Sequence, residues 1–105
     1  MPHDVYTLPL MPKLIVSSAV LLKLRDKHGV TMREVEQCFE NKCGIFLEDD
    51  REDHQTDPPT LWFVAPTNRN RPLKVVFIFI DGNVHIKSAF DPNEDEIAIY
   101  ARHGQ

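Results

Sequence analysis

The chain has 105 residues, of which 42% are hydrophobic and 27% charged, and its net charge is −4. That composition suits one soluble globular domain with a core of modest size, and no apolar run approaches the length of a membrane span. The negative balance argues against simple electrostatic capture of nucleic acid, so any RNA contact needs a local basic patch on an acidic background.

Residues 1–12 lack the basic start and apolar stretch of a signal peptide, and Pro2, Pro9 and Pro12 oppose regular structure. They read as a tail, with a single domain over 13–105 and the cytoplasm as the default location. Cys38 and Cys43 are separated by four residues, which is not a zinc half-site, and no second pair completes one. In a reducing cytosol they are free thiols.

Lys13 to Val16 forms a short strand. Ser17 or Ser18 caps a helix whose apolar face carries Val20, Leu21 and Leu24, and Gly29 is placed to end it. Thr31 and Glu34 have the spacing of a capping box, with Val30 and Val35 as a hydrophobic staple. A second helix follows from Met32 to about Asn41, burying Val35, Cys38 and Phe39. The two helices form a hairpin.

Strand territory begins at Ile45. The acidic stretch from Glu48 to Pro59 reads as a loop, and a strand over Thr60 to Ala65 places Leu61 and Phe63 on one face and Trp62 and Val64 on the other. Asp81-Gly82 between two alternating runs is a strong signal for a two-residue hairpin. The resulting register sets Phe79 against Val84, Phe77 against Ile86, Val75 against Ser88 and Leu73 against Phe90, an apolar face that must meet the core. The opposite face carries Ile80, Ile78, Val76 and Lys74 beside Asn83, His85, Lys87 and Ala89. Lys74 and Lys87 become diagonal neighbours about 7–8 Å apart. With His85 they could hold a phosphate, or they could be ordinary charges on a solvated sheet face. Asp91 caps the last helix, with Pro92 in its first turn and Glu94 closing a box.

The element order predicts an α+β fold in two layers. A helical hairpin precedes a three- to four-stranded antiparallel meander and a C-terminal helix, with the helices packed on one face of the sheet.

Several segments resemble a known family. Lys27-His28-Gly29-Val30-Thr31 followed by Glu34, Glu36 and Phe39 looks like a conserved-order segment of the BrnT-type toxins. So do Asp50 to His54 leading into Leu61-Trp62-Phe63-Val64, then Arg71-Pro72-Leu73-Lys74-Val75-Val76, then Ile86-Lys87-Ser88-Ala89. The order and spacing agree from about Lys13 to Tyr100. The chain departs from the pattern in its acidity, in Phe90 where an arginine is expected, and in the longer acidic stretch Asp50 to Pro59.

The resemblance implies a RelE/ParE-like fold and a small, metal-independent ribonuclease of a type II toxin–antitoxin system, with no cofactor. It also implies a cognate antitoxin, an RNA substrate and a second copy of the chain as partners. Such cleavage needs a base for the 2′-hydroxyl, an acid for the leaving oxygen and cations for the phosphorane. His54 is the candidate for proton transfer, or an exposed loop histidine among acids. Lys74 and Lys87 complete the catalytic set. Arg71 and Arg51 are candidate phosphate clamps, and Trp62 a candidate base-stacking ring; solvated charges, an Arg51–Asp pair and a core tryptophan are the alternatives. The other reading is a non-catalytic binding module that holds a protein partner through the basic sheet face or the acidic loop.

Overall fold

The computed structural model describes residues 13–49 and 56–105. β1 (Leu14–Ile15) leads into α1 (Ser18–Lys23), where the Ser17 hydroxyl accepts from the Val20 N–H at 3.2 Å. The helix widens into a π turn, Leu24–His28, that stops at Gly29 in the left-handed conformation, φ +62°. A side chain at that φ would be strained, which is why glycine stands there. α2 (Met32–Asn41) starts with the capping box: the Thr31 hydroxyl accepts from the Glu34 N–H, and the Glu34 carboxylate accepts from the Thr31 N–H. Val30 and Val35, the staple, are both buried.

β2 (Leu47–Glu48), β3 (Thr60–Pro66), β4 (Pro72–Ile80) and β5 (Asn83–Phe90) join β1 in a five-stranded sheet of order β1-β5-β4-β3-β2. The β2–β3–β4–β5 part is antiparallel, and β1 lies parallel to β5. The fold is thus α+β with a mixed sheet, one strand wider than the predicted meander. The hairpin turns at Asp81 and Gly82, both at positive φ (52° and 81°) as a type I′ turn requires.

The predicted register holds from that turn as far as Phe77 opposite Ile86 and then slips by one. Val76 faces Ser88, Val75 faces Ala89 and Lys74 faces Phe90, leaving Lys87 as the extra residue of a β-bulge. The slip puts Ala89 in the core and moves Ser88 and Phe90 to the second face. It also removes the predicted diagonal pairing of Lys74 with Lys87, because Lys87 now lies three residues along β5 from Lys74's partner Phe90.

The first sheet face carries Leu61, Phe63, Ala65, Leu73, Val75, Phe77, Val84, Ile86 and Ala89, all buried. α2 covers it: the Phe39 ring meets Phe63 and Phe77 edge-on, with centroids 4.8 and 5.5 Å apart, and Cys38 Sγ donates to the Ala65 carbonyl. Burial pushes the Cys38 thiol up to about 12, so it stays protonated.

α3 (Glu94–His103) does not join the other helices. It lies on the second face, where Tyr100 meets Trp62 at a centroid distance of 5.9 Å and Glu96 reaches Lys74. The expected single helical layer is therefore two, one on each side of the sheet. The cap also differs from expectation: Asn93 accepts from the Glu96 N–H and Glu96 closes the box, two residues later than predicted. The Asp91 carboxylate is engaged by Arg71 instead. Tyr100 Oη donates to the Ile45 carbonyl, and the Ile45 N–H donates to the Gly104 carbonyl, fastening the end of α3 to the approach to β2. A Cβ on Gly44 would run into the Gly104 carbonyl and Tyr100 Oη, so this crossing needs glycine.

Among the described residues no helix is long and apolar enough to cross a membrane.

Candidate functional site

Arg71 immediately precedes β4, opposite the joint between the π turn and α2. Its Nη1 donates to the Gly29 carbonyl at 2.8 Å and to Glu34 Oε2 at 3.5 Å. Nη2 donates to the His28 carbonyl at 3.0 Å and to Asp91 Oδ2 at 3.2 Å, and Nε donates to Asp91 Oδ1 at 2.9 Å. A guanidinium carries five N–H donors, and here each has an acceptor. The fork ties together the end of the π turn, the start of α2 and the segment before α3. Its hydrogen bond to Asp91 raises the already high pKa of Arg71 and lowers that of the Asp91 carboxyl. The geometry makes Arg71 a fastening, with no donor left over for a phosphate.

Lys74 is similarly engaged. The residue is 7% exposed, and its ammonium bonds Glu96 Oε2 at 2.7 Å and sits 4.5 Å from the centroid of the Trp62 ring. A second ring, Phe90, lies 5.7 Å away. Burial this deep is tolerated because a carboxylate and an aromatic face replace the lost water. Trp62 is itself 7% exposed, pressed between Lys74 and Tyr100, and its ring is not displayed for a base.

The Lys74–Glu96 pair forms part of the wall of a cleft of about 530 Å³ between β2, β3 and α3. Leu47, Trp62 and Ile99 supply apolar walls; Glu48, Asp49, Asp95 and His103 supply polar ones. Among the described residues four carboxylates and one ammonium line it, and that ammonium bonds Glu96 Oε2 at 2.7 Å. Among the described residues no group of three or more His, Cys, Asp or Glu side chains is arranged to hold a metal ion.

Lys87 lies elsewhere. It is exposed at the β5 bulge, and its backbone carbonyl accepts from Lys23 Nζ at 3.1 Å. Lys23 and Lys27 occupy consecutive turns of the α1–π segment, and both act on His28, whose ring contacts Phe90 at 5.5 Å. Desolvation first, then Lys27 and Lys23, hold the His28 imidazole below its ordinary pKa, so it is neutral at pH 7. Lys23 thus reaches the β5 backbone, a contact that the hairpin register had not indicated. His85 pairs with Ile78 on the second sheet face.

His54 and Arg51 lie outside the described residues. Of the remaining site candidates, Lys74 and Trp62 come together in the cleft, while Arg71 and Lys87 are each placed apart from it. Glu96, the partner of Lys74, carries a fixed role that sequence reasoning did not assign; the second N-terminal box, Asn93 with Glu96, was its readable trace.

No protein-family model, no curated protein and no solved structure matches the chain.

Proposed function

We propose that the chain is a non-catalytic binding module that engages a protein partner. The observation carrying this reading is the internal use of Arg71, Lys74 and Trp62. The side chains best suited by type to grip RNA and its phosphates are instead bonded to Asp91, Glu34, Glu96 and Tyr100 or pressed against them. Transition-state cations must be free to meet charge as it develops. Releasing Lys74 would break its 2.7 Å charge-assisted bond to the partly buried Glu96, at a cost on the order of 1–3 kcal/mol.

A second reading is a metal-independent ribonuclease toxin on a RelE/ParE-like scaffold. It is favoured by the element order, in which two helices precede an antiparallel meander and a third helix follows it, in step with the segments that resemble BrnT-type toxins. In that reading His54 carries the proton transfer, with Lys74 and Lys87 as the catalytic cations.

The deciding assay incubates purified protein with total RNA in EDTA, alongside His54→Ala and Lys87→Ala. The binding-module reading expects intact RNA in every lane and no growth arrest on expression. Cleavage by the wild type that His54→Ala abolishes would replace it with the ribonuclease reading.

A further inference from the structure

We infer that the pocket between α2 and the turn joining β3 to β4 takes a carboxylate group of a partner protein, an inference that rests on the binding-module reading above and names the chemistry of its ligand. The pocket has a volume of about 330 Å³ and is lined by Thr31, Glu34 and Gln37 at α2 and by Thr67, Asn68 and Arg69 of the turn. That volume lies at the small end of ligand pockets and suits one side chain or one chain end. The turn is held in place by its own bonds. Thr67 is 3% exposed, and its Oγ1 accepts from the Arg69 and Arg71 N–H groups, both at 3.2 Å. The Thr67 N–H donates to the Arg71 carbonyl at 2.8 Å, and the Thr67 carbonyl accepts from the Asn70 N–H at 2.9 Å. A ligand therefore meets a backbone that is already ordered.

The hydrogen-bond network fixes both amides that line the pocket. A backbone N–H can only donate, so the 3.0 Å bond from the Asn68 N–H to Gln37 settles that Oε1 faces the turn. The Pro66 carbonyl can only accept, so Asn41 turns Nδ2 to it at 3.0 Å, and the same nitrogen meets Asn68 Oδ1 at 2.9 Å. Both amide oxygens are thus engaged inside the protein, and the Gln37 and Asn68 NH2 groups keep their donors unused among the described residues. Arg69 is exposed, and its guanidinium has no acceptor among the described residues. The acceptors of the lining are in use: Thr31 Oγ1 takes the Glu34 N–H, Glu34 Oε1 takes the Thr31 N–H and Glu34 Oε2 takes Arg71 Nη1. Donors from three side chains therefore remain in one pocket whose acceptors are occupied. An ionised carboxylate is the complement, since it only accepts, and its two oxygens match the arginine fork. The formal charges of the lining, Arg69 and Glu34, cancel, so attraction rests on hydrogen bonds. That favours a single carboxylate over RNA, whose binding draws on several cations along its phosphates.

The test is a nitrogen-15 NMR titration of the whole chain with blocked pentapeptides. One is acetyl-Gly-Gly-Glu-Gly-Gly-amide, one is acetyl-pentaglycine with a free C-terminal carboxylate, and the neutral control is acetyl-Gly-Gly-Gln-Gly-Gly-amide. Inorganic phosphate and a single-stranded RNA are the remaining arms. The expected result is that the Gln37 and Asn68 side-chain NH2 signals and the Arg69 Nε–H signal move with a carboxylate peptide and stay still with the neutral one. Which carboxylate peptide moves them identifies the group as side-chain or terminal. Arg69→Gln should weaken that binding about tenfold or more, and Arg69→Lys, which keeps the charge without the fork, nearly as much. Arg102→Gln on α3 should bind within about twofold of the wild type. The melting temperature should not change in the Arg69 variants, because that side chain makes no bond among the described residues. Still signals with both carboxylate peptides, equal movement with the neutral peptide, equal binding by Arg69→Gln and the wild type, or tighter binding of phosphate or RNA would each overturn the assignment. RNA cleavage by the same preparation would instead bring down the binding-module reading; intact RNA with still signals removes this pocket alone.

Discussion

Arg71 grips both carboxylate oxygens of Asp91, from Nε at 2.9 Å and from Nη2 at 3.2 Å. The same guanidinium holds the His28 and Gly29 carbonyls, so a single side chain fixes the left-handed exit of the π turn against the approach to α3. The left-handed exit leaves helix-end carbonyls without intrahelical partners, and Arg71 supplies their donors. Arg71→Lys retains the charge and loses the fork. With the side chain about one-third exposed, the loss should be roughly 1–3 kcal/mol in a urea titration. A midpoint equal to that of the wild type would show that the fork contributes nothing.

Two titrations should shape the acid limb of stability. The Asp91 carboxyl is lowered chiefly by its hydrogen bond from Arg71, so its contribution is complete above its ordinary value near 3.9 and is lost as pH falls through the lowered folded value. His28 is lowered chiefly by burial, then by Lys27 and Lys23, with Asp91 opposing. It is neutral in the fold, and its contribution is complete above about 6.5 and lost as pH falls toward and through its depressed folded value. The melting temperature should drop between pH 7.5 and 5.5, and His28→Gln should reduce that drop. An identical drop in the variant would place the effect on other groups.

Phe77 sits in the core with 0% exposure, in ring contact with Phe39, Phe46 and Phe63. Phe77→Ala should cost about 3–5 kcal/mol by chemical denaturation. The slipped register makes a sharper forecast at Ala89, also 0% exposed: Ala89→Leu should overpack the core by about 1–3 kcal/mol, while Ser88→Leu on the second face should cost less. Equal effects at the two positions would contradict the bulge.

The Lys74–Glu96 pair should behave as a buried charge couple. Lys74→Ala removes the 2.7 Å partner of Glu96 Oε2 and the cation from the Trp62 face, for a loss of about 3 kcal/mol. Lys74→Met with Glu96→Gln, which removes both charges and keeps volume, should recover most of that loss. Calorimetric melts of the single and double variants decide the point; a double variant no better than Lys74→Ala would refute the coupling.

Local chemistry was readable in the sequence and longer-range placement was not. The Asp81-Gly82 turn, the Thr31–Glu34 box and the glycine stop at Gly29 each depend on residues a few positions apart. The cross-strand neighbours of Lys74 were misassigned because the bulge at Lys87 inserts one residue while leaving the apolar pattern plausible in either register, with small Ser88 and Ala89 fitting both faces. The start of α3 was ambiguous because Asp91 and Asn93 both precede a glutamate three positions on, and Arg71's hold on Asp91 decides between them. That choice depends on a residue twenty positions away, beyond any local rule. The side of the sheet taken by α3 depends on Trp62, Lys74 and Tyr100 finding one another, which no spacing encodes.

The central claim is that Arg71 and Lys74 are held inside the protein and do not meet an anionic ligand. Nitrogen-15 NMR of the Arg71 Nε–H and Lys74 ammonium signals tests it most directly. The account predicts that both exchange slowly with water and keep their shifts when single-stranded RNA is added to saturation. Movement of either signal with RNA, in step with loss of the Arg71–Asp91 or Lys74–Glu96 bond, would contradict it.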